Sequence, residues 1–154
     1  MTSKAELIQR IRSELAARRE RLEMAAREAH AAATDPDAKA ESKYDTRGLE
    51  ASYLAAGQAK QAESLAEAIQ ALESASFPDF EPDAPIAAGA LVELIGDDGP
   101  AWFLLAPAAG GLEFEFEDAP LTVLTPESRL YSALLGRRPG ESLDTPPATI
   151  TEVR

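Results

Sequence analysis

Cysteine is absent from the 154 residues. That excludes a disulfide framework, a thiol nucleophile and a cysteine-rich zinc site. Histidine occurs once, at position 30, and no Ser-His-Asp or Cys-His arrangement can be assembled around it. No apolar run approaches the roughly 18 residues that a membrane span needs. The opening Met1-Thr2-Ser3-Lys4-Ala5-Glu6 lacks the apolar core of a signal peptide. These absences predict a soluble, cytoplasmic protein. Basic residues are scarce after position 76: residues 77–154 carry 4 Lys/Arg against 14 Asp/Glu, whereas residues 1–76 carry 11 against 13. Most of the net charge of −12 therefore sits in the second half. Such a surface repels phosphate backbones, which argues against autonomous nucleic-acid binding and for a basic protein partner.

What is present divides into two kinds of sequence. From Lys4 to Ala33 no Gly or Pro interrupts an Ala/Glu/Arg-rich stretch. Ile8, Leu15, Leu22 and Ala29 recur every seven residues, with Arg18 as a charged exception in the seam. This predicts a helix of about 30 residues, or roughly 45 Å. A second helix is expected from Pro36 to about Ser74. Its seam runs through Tyr44, Ala51, Leu54, Gln58, Gln61, Leu65, Ala68 or Ile69, and Leu72, with Tyr53 also packed there. Gly48 and Gly57 are its weak points. The short connection at Thr34-Asp35 makes the helices antiparallel neighbours.

The stretch between them is a hairpin tip. Asp35 suits the N-cap and Pro36 the first helical position. Asp37, Glu41 and Asp45 form one negative row at a spacing of four, while Lys39, Lys43 and Arg47 form a positive row on roughly the opposite face. Like charges at that spacing oppose helix stability, so the polarised tip suggests a surface that meets a cation or a charged partner; a solvated, well-capped turn is the plainer reading. His30 lies near this tip and could titrate near neutrality, although a lone histidine on an Ala-rich helix is ordinarily incidental.

Three prolines within Ser76–Pro85 break the pattern and mark a linker. Short strand-like runs follow at Ala90–Ile95, Ala101–Ala106, Leu112–Glu117 and Leu121–Thr125. In the third, Leu112, Phe114 and Phe116 alternate with Glu113, Glu115 and Glu117, so one face is buried and the other acidic. Pro126–Leu135 reads as a short helix with Thr125 as N-cap and Gly136 as its stop. Ser142–Asp144 and Ala148–Val153 can close the sheet. Trp102, Phe103, Leu104, Val123, Leu130, Leu134 and Ile150 are the candidate core. The fold class is α+β, with a helical hairpin over 1–76, a linker over 77–85 and an antiparallel sheet domain with one short helix over 86–154.

The run Thr125–Glu141, a short helix followed by Gly136 and the basic turn Arg137-Arg138, resembles the GreA/GreB family of bacterial transcript-cleavage factors. The order of hairpin, linker and sheet domain extends that resemblance over nearly the whole chain. At the tip, Asp37 and Tyr44 fall in register with the family's Gly-Asp-Leu-x-Glu-Asn-Ala-Glu-Tyr. The resemblance implies an FKBP-like C-terminal domain that holds RNA polymerase, with Ser128, Arg129, Leu135, Gly136, Arg137 and Arg138 as contacts. It implies a hairpin that enters the polymerase secondary channel, where tip acids meet the RNA 3′ end. Asp37 and Glu41, with Asp35 beside them, would then help hold a Mg²⁺ shared with the polymerase active site. Two carboxylates suit Mg²⁺, which keeps much of its octahedron for water and phosphate. The protein would be an accessory factor, not itself an enzyme.

One departure matters. The family's second tip acid corresponds to Ala40, and Glu41 lies one residue later, about 100° around the helix. Inhibition of polymerase, or competition for the channel without cleavage, is therefore the alternative. Two other classes stand beside it. A peptidyl-prolyl isomerase or chaperone would need an aromatic-lined proline pocket, and a structural coiled-coil dimeriser would use the Ala-rich seam.

Overall fold

The computed structural model describes residues 3–34 and 47–154. They fall into two compact units, one of Ile11–Ile69 and one that joins Met1–Arg10 to Gln70–Arg154. The first turns of the N-terminal helix and the end of the second helix thus pack with the sheet, across the boundaries drawn from composition.

Helix α1 spans Lys4–Thr34 and α2 spans Arg47–Ser74. Both are rich in Ala, Leu, Glu and Arg, which lose little rotamer freedom in a helix. A capping box starts α1. The Glu6 N–H donates to Ser3 Oγ at 3.1 Å, and the Ser3 N–H donates to Glu6 Oε2 at 2.7 Å. That donated bond holds the Glu6 carboxyl below its ordinary pKa.

Within Ile11–Ile69 the antiparallel helices bury Ile11, Leu15, Ala29, Ala55 and Ala62, while Leu22, Ala25 and Leu65 are half-buried. Three expected seam residues are exposed, Gln61 among them. Tyr53 is 70% exposed and Leu54 is 56% exposed. The buried row of α2 runs through Ala55 and Ala62. Tyr53 sits two positions before it, about 200° around the helix, and Leu54 one position before, about 100°. Arg18, the charged seam position, is exposed and pairs with Glu14 at 2.9 Å.

The other unit carries a six-stranded sheet of β1 Leu91–Gly96, β2 Gly99–Leu105, β3 Glu113–Phe116, β4 Ala119–Leu124, β5 Ser142–Asp144 and β6 Pro147–Val153. Their order across the sheet is β3-β4-β2-β1-β6-β5. The sheet is mixed, not purely antiparallel: β2 and β4 pair in parallel, with Trp102 opposite Leu121. The chain leaves β2, skips one strand width and returns as β3. It then turns at Glu117-Asp118, both in the left-handed region, and fills the gap as β4. This places apolar Leu121 and Val123 inside and leaves acidic β3 on the edge, where charge discourages pairing with other chains.

One face of the sheet packs Val92, Leu94, Leu105, Leu124 and Ile150 against Tyr131 and Leu134 of helix α3, Arg129–Leu134, with Phe103 and Leu130 partly buried beside them. The opposite face carries Trp102, Leu104, Phe116, Leu121 and Val123. Trp102 and Phe116 meet edge to face, their centroids 5.2 Å apart. The first turns of α1 lie along this side. Arg10 stands over the Phe114 ring and donates to the Glu115 carbonyl at 3.1 Å.

Helix α3 starts later than expected. Ser128, not Thr125, is its N-cap, because Ser128 Oγ accepts the Tyr131 N–H, while Thr125 to Ser128 closes as a turn. Gly136 ends the segment at φ +79°, and its N–H donates to the Ile86 carbonyl at 2.8 Å. No helix among the described residues is long and apolar enough to cross a membrane.

Candidate functional site

Asp35, Asp37 and Glu41, the expected tip acids and metal ligands, lie outside the described residues, as do Lys39, Ala40, Lys43, Tyr44 and Asp45. His30 is exposed in the last turns of α1, where its carbonyl accepts the Thr34 hydroxyl at 3.0 Å. Among the described residues no three His, Asp or Glu side chains are grouped to hold a metal.

The expected docking residues are described and lie on one segment of the sheet unit. Ser128 is occupied as the cap of α3. Arg129 is exposed at its first position. Leu135 follows the helix and is 45% exposed. Gly136 then allows the reversal that sets Arg137 and Arg138 on the surface.

The two arginines are not equivalent. The Arg138 guanidinium donates to the Asp83 carbonyl at 2.8 Å, and its N–H donates to a Glu141 carboxylate oxygen. Arg138 therefore fastens the proline-rich segment to the turn. Arg137 faces Glu141 at 3.8 Å with nearly half its side chain exposed, a weak surface pair that leaves its donors available. The surface on offer is thus Arg129, Leu135 and Arg137, with Arg138 and Gly136 shaping it.

Beside this segment is a cleft of about 750 Å³, lined by Pro107–Gly111 and Thr122–Ser128. No aromatic side chain lines it. Trp102 and Phe116 are in the core, and Tyr131 is buried under α3.

A second cluster went unread in the sequence. Arg154 donates to both carboxylate oxygens of Glu117, at 2.7 and 3.0 Å, and to Glu152, while its guanidinium lies over Trp102 and Phe116. The donated bonds raise the Arg154 pKa and hold the Glu117 carboxyl below its ordinary value. Lys4 is 7% exposed, donates to the carbonyls of Pro78 and Arg154, and sits over the Phe80 ring. Burial lowers its pKa to about 8 despite the charge of Asp79. The one available signal was Arg154 itself, one of four basic residues among the 14 acidic ones of residues 77–154. Nothing in the spacing marked Lys4.

No family model matches this sequence, and no curated protein does. Among solved structures the chain is similar to GreA factor homolog 1 (Gfh1) of Thermus thermophilus. That likeness has 24% identity, covers 96% of this chain and 94% of the other, and has a TM-score of 0.36. Gfh1 of Thermus aquaticus is similar at 21% identity, covering 95% of this chain and 92% of the other, with a TM-score of 0.35.

Proposed function

We propose that the protein is a Gre-type factor that binds bacterial RNA polymerase, docks through its sheet domain and inserts its hairpin tip into the secondary channel. The observation that carries this reading is the Thr125–Glu141 segment. The stretch whose sequence resembles the GreA/GreB docking helix folds as a capped helix, a left-handed glycine and a basic turn. It presents Arg129, Leu135 and Arg137 at the surface. A helical hairpin precedes it in the chain, as the same resemblance requires.

In this reading Asp37 and Glu41, with Asp35 beside them, would contribute carboxylates to a Mg²⁺ that the polymerase and the RNA 3′ end also hold. Such an ion activates water and stabilises a leaving oxygen. The tip acids alone bind it weakly, because two carboxylates leave most of its coordination to others. Ala40 in the place of the family's second acid favours a second reading, in which the factor occupies the channel and slows elongation without cleavage.

The test is transcript cleavage on stalled elongation complexes, with wild type, Asp37→Ala and Glu41→Ala. Loss of cleavage with polymerase binding retained supports the catalytic tip. A wild type that never stimulates cleavage but blocks elongation supports the second reading. A wild type that does not bind polymerase refutes both.

A further inference from the structure

Strand β3 is an open edge of the sheet, and β4 fixes its inner side. The Val123 N–H donates to the Leu112 carbonyl at 2.9 Å, and Phe114 and Phe116 stand opposite Leu121 and Ala119. In an antiparallel pair such inward residues alternate with outward ones, so Glu113 and Glu115 turn their main-chain groups away from β4. Arg10 marks that direction. Its guanidinium reaches the Glu115 carbonyl at 3.1 Å while lying over the Phe114 ring. Glu113 and Glu115 are exposed, and so is Asp118 in the turn that follows. No described cation pairs with these three carboxylates, whereas the neighbouring Glu117 is held by Arg154. They border a hollow of about 460 Å³ that Pro120 and Thr122 also line.

We infer that this edge receives an extended, basic segment of a partner protein, which adds to the sheet as an outermost strand beside β3. The open main chain selects an extended segment. The Glu113 N–H and carbonyl and the Glu115 N–H face outward, and strand addition is built from main-chain hydrogen bonds of this kind. The carboxylates select the sign. Side chains two apart on the incoming strand fall on one face, so Lys or Arg at alternate positions would stand beside Glu113 and Glu115. The negative charge that keeps acidic strands off this edge, a second copy of β3 included, is complementary to a basic strand. Arg10 shows how a guanidinium is accommodated here, on a carbonyl oxygen and an aromatic ring. The inference does not depend on the polymerase reading, since the edge uses neither the docking segment nor the tip.

The test uses the isotopically labelled full chain and three synthetic peptides of about eight residues, a typical strand length. One alternates Thr with Lys, one alternates Thr with Glu, and the third is the Lys peptide with its main-chain N–H groups methylated. The Lys peptide should bind, shift the Glu113 and Glu115 amide resonances and slow their hydrogen exchange. It should be preferred by about tenfold over the Glu peptide. Methylation should abolish binding, because it removes the strand's donors. Glu113→Lys with Glu115→Lys should reverse the charge preference. Both side chains are exposed, so the fold should survive, and Glu113→Gln alone serves as a milder check that should weaken the preference. The inference is overturned if the Lys peptide does not bind, if the Glu peptide binds as well, or if the shifts map elsewhere. Equal binding by the methylated peptide overturns it too, since a charge contact without a strand would explain that result. It is also overturned if the mass of the free protein doubles with concentration and the doubling protects the same two amides, because a second copy would then occupy the edge.

Discussion

The ammonium group of Lys4 lies 2.9 Å from the carbonyl oxygen of Arg154, joining two residues 150 positions apart. The same nitrogen donates to the Pro78 carbonyl at 2.6 Å. A single side chain thus gathers the first turn of α1, the proline-rich segment and the last strand into one unit.

That contact has a pH signature. Burial lowers the Lys4 pKa from 10.5 to about 8. Below pH 8 the lysine is charged in both folded and unfolded chains, and the cost of burying that charge is fully present. Between about 8 and 10.5 the unfolded chain binds more protons, so stability rises with pH. A neutral amine still has two N–H donors for the two carbonyls. Denaturant unfolding at pH 7.5 and pH 10 should show wild type gaining on the order of 1–3 kcal/mol relative to Lys4→Met across that interval. Parallel pH profiles for the two proteins would mean that Lys4 titrates normally.

The Glu117–Arg154 pair acts on the acid side. The folded pKa of Glu117 lies below 4.5 because Arg154 donates to it. Its contribution is complete above the unfolded value and disappears as pH falls through the folded one. Arg154→Gln keeps a donor but loses the charge and much of the stacking on Trp102. It should cost about 1–3 kcal/mol at pH 7 and progressively less below pH 4. Chemical denaturation at pH 7 and pH 3 measures the difference.

Backbone conformation gives a pair of opposite effects. Asp118 has φ +62° in the two-residue turn between β3 and β4, a position that favours glycine. Asp118→Gly should stabilise the domain by about 0.5–1 kcal/mol. Gly136→Ala meets no steric obstacle but is held at φ +79°, and should destabilise by about 1 kcal/mol or more. Thermal unfolding should move the melting temperature up for the first and down for the second.

Docking can be separated from folding by choosing the arginine with no anchoring role. Arg137→Glu with Leu135→Asp changes two exposed side chains, so stability should stay within about 0.5 kcal/mol. Polymerase capture at moderate salt should fall at least about tenfold. Arg138→Glu is a poorer probe, because it also breaks the bond to Asp83. Unchanged capture by the Arg137/Leu135 variant would remove this surface from the docking assignment.

The strands were legible because alternation reports burial directly: the run of Leu112, Phe114 and Phe116 against three glutamates predicts a half-buried strand, and β3 is one. Alternation says which face a residue occupies but not which strand lies beside it, so the parallel pairing of β2 with β4 was out of reach. On α2, Leu54 is more apolar than Ala55, yet Ala55 is buried, because small side chains let two helices approach closely. At α3 the expected cap was Thr125, but the helix is capped by Ser128, whose oxygen accepts the N–H three residues on. Arg137 and Arg138 were identified as surface cations, but the bond from Arg138 to a main-chain oxygen 55 positions away leaves no trace in local sequence. The capping box at Ser3 and Glu6 was legible and went unread.

The sheet unit takes its first residues from positions 1–10 and its remainder from 70–154. During synthesis Lys4 is made 150 residues before its acceptor on Arg154. The hairpin can form from local contacts while the chain is still growing, whereas the first turn of α1 must wait for the final strand. An expressed fragment that begins at the linker would have a complete strand list yet lack Leu7, Arg10 and the buried ammonium. It would leave one side of its sheet uncovered, making it a poor substitute for the domain it resembles on a sequence diagram.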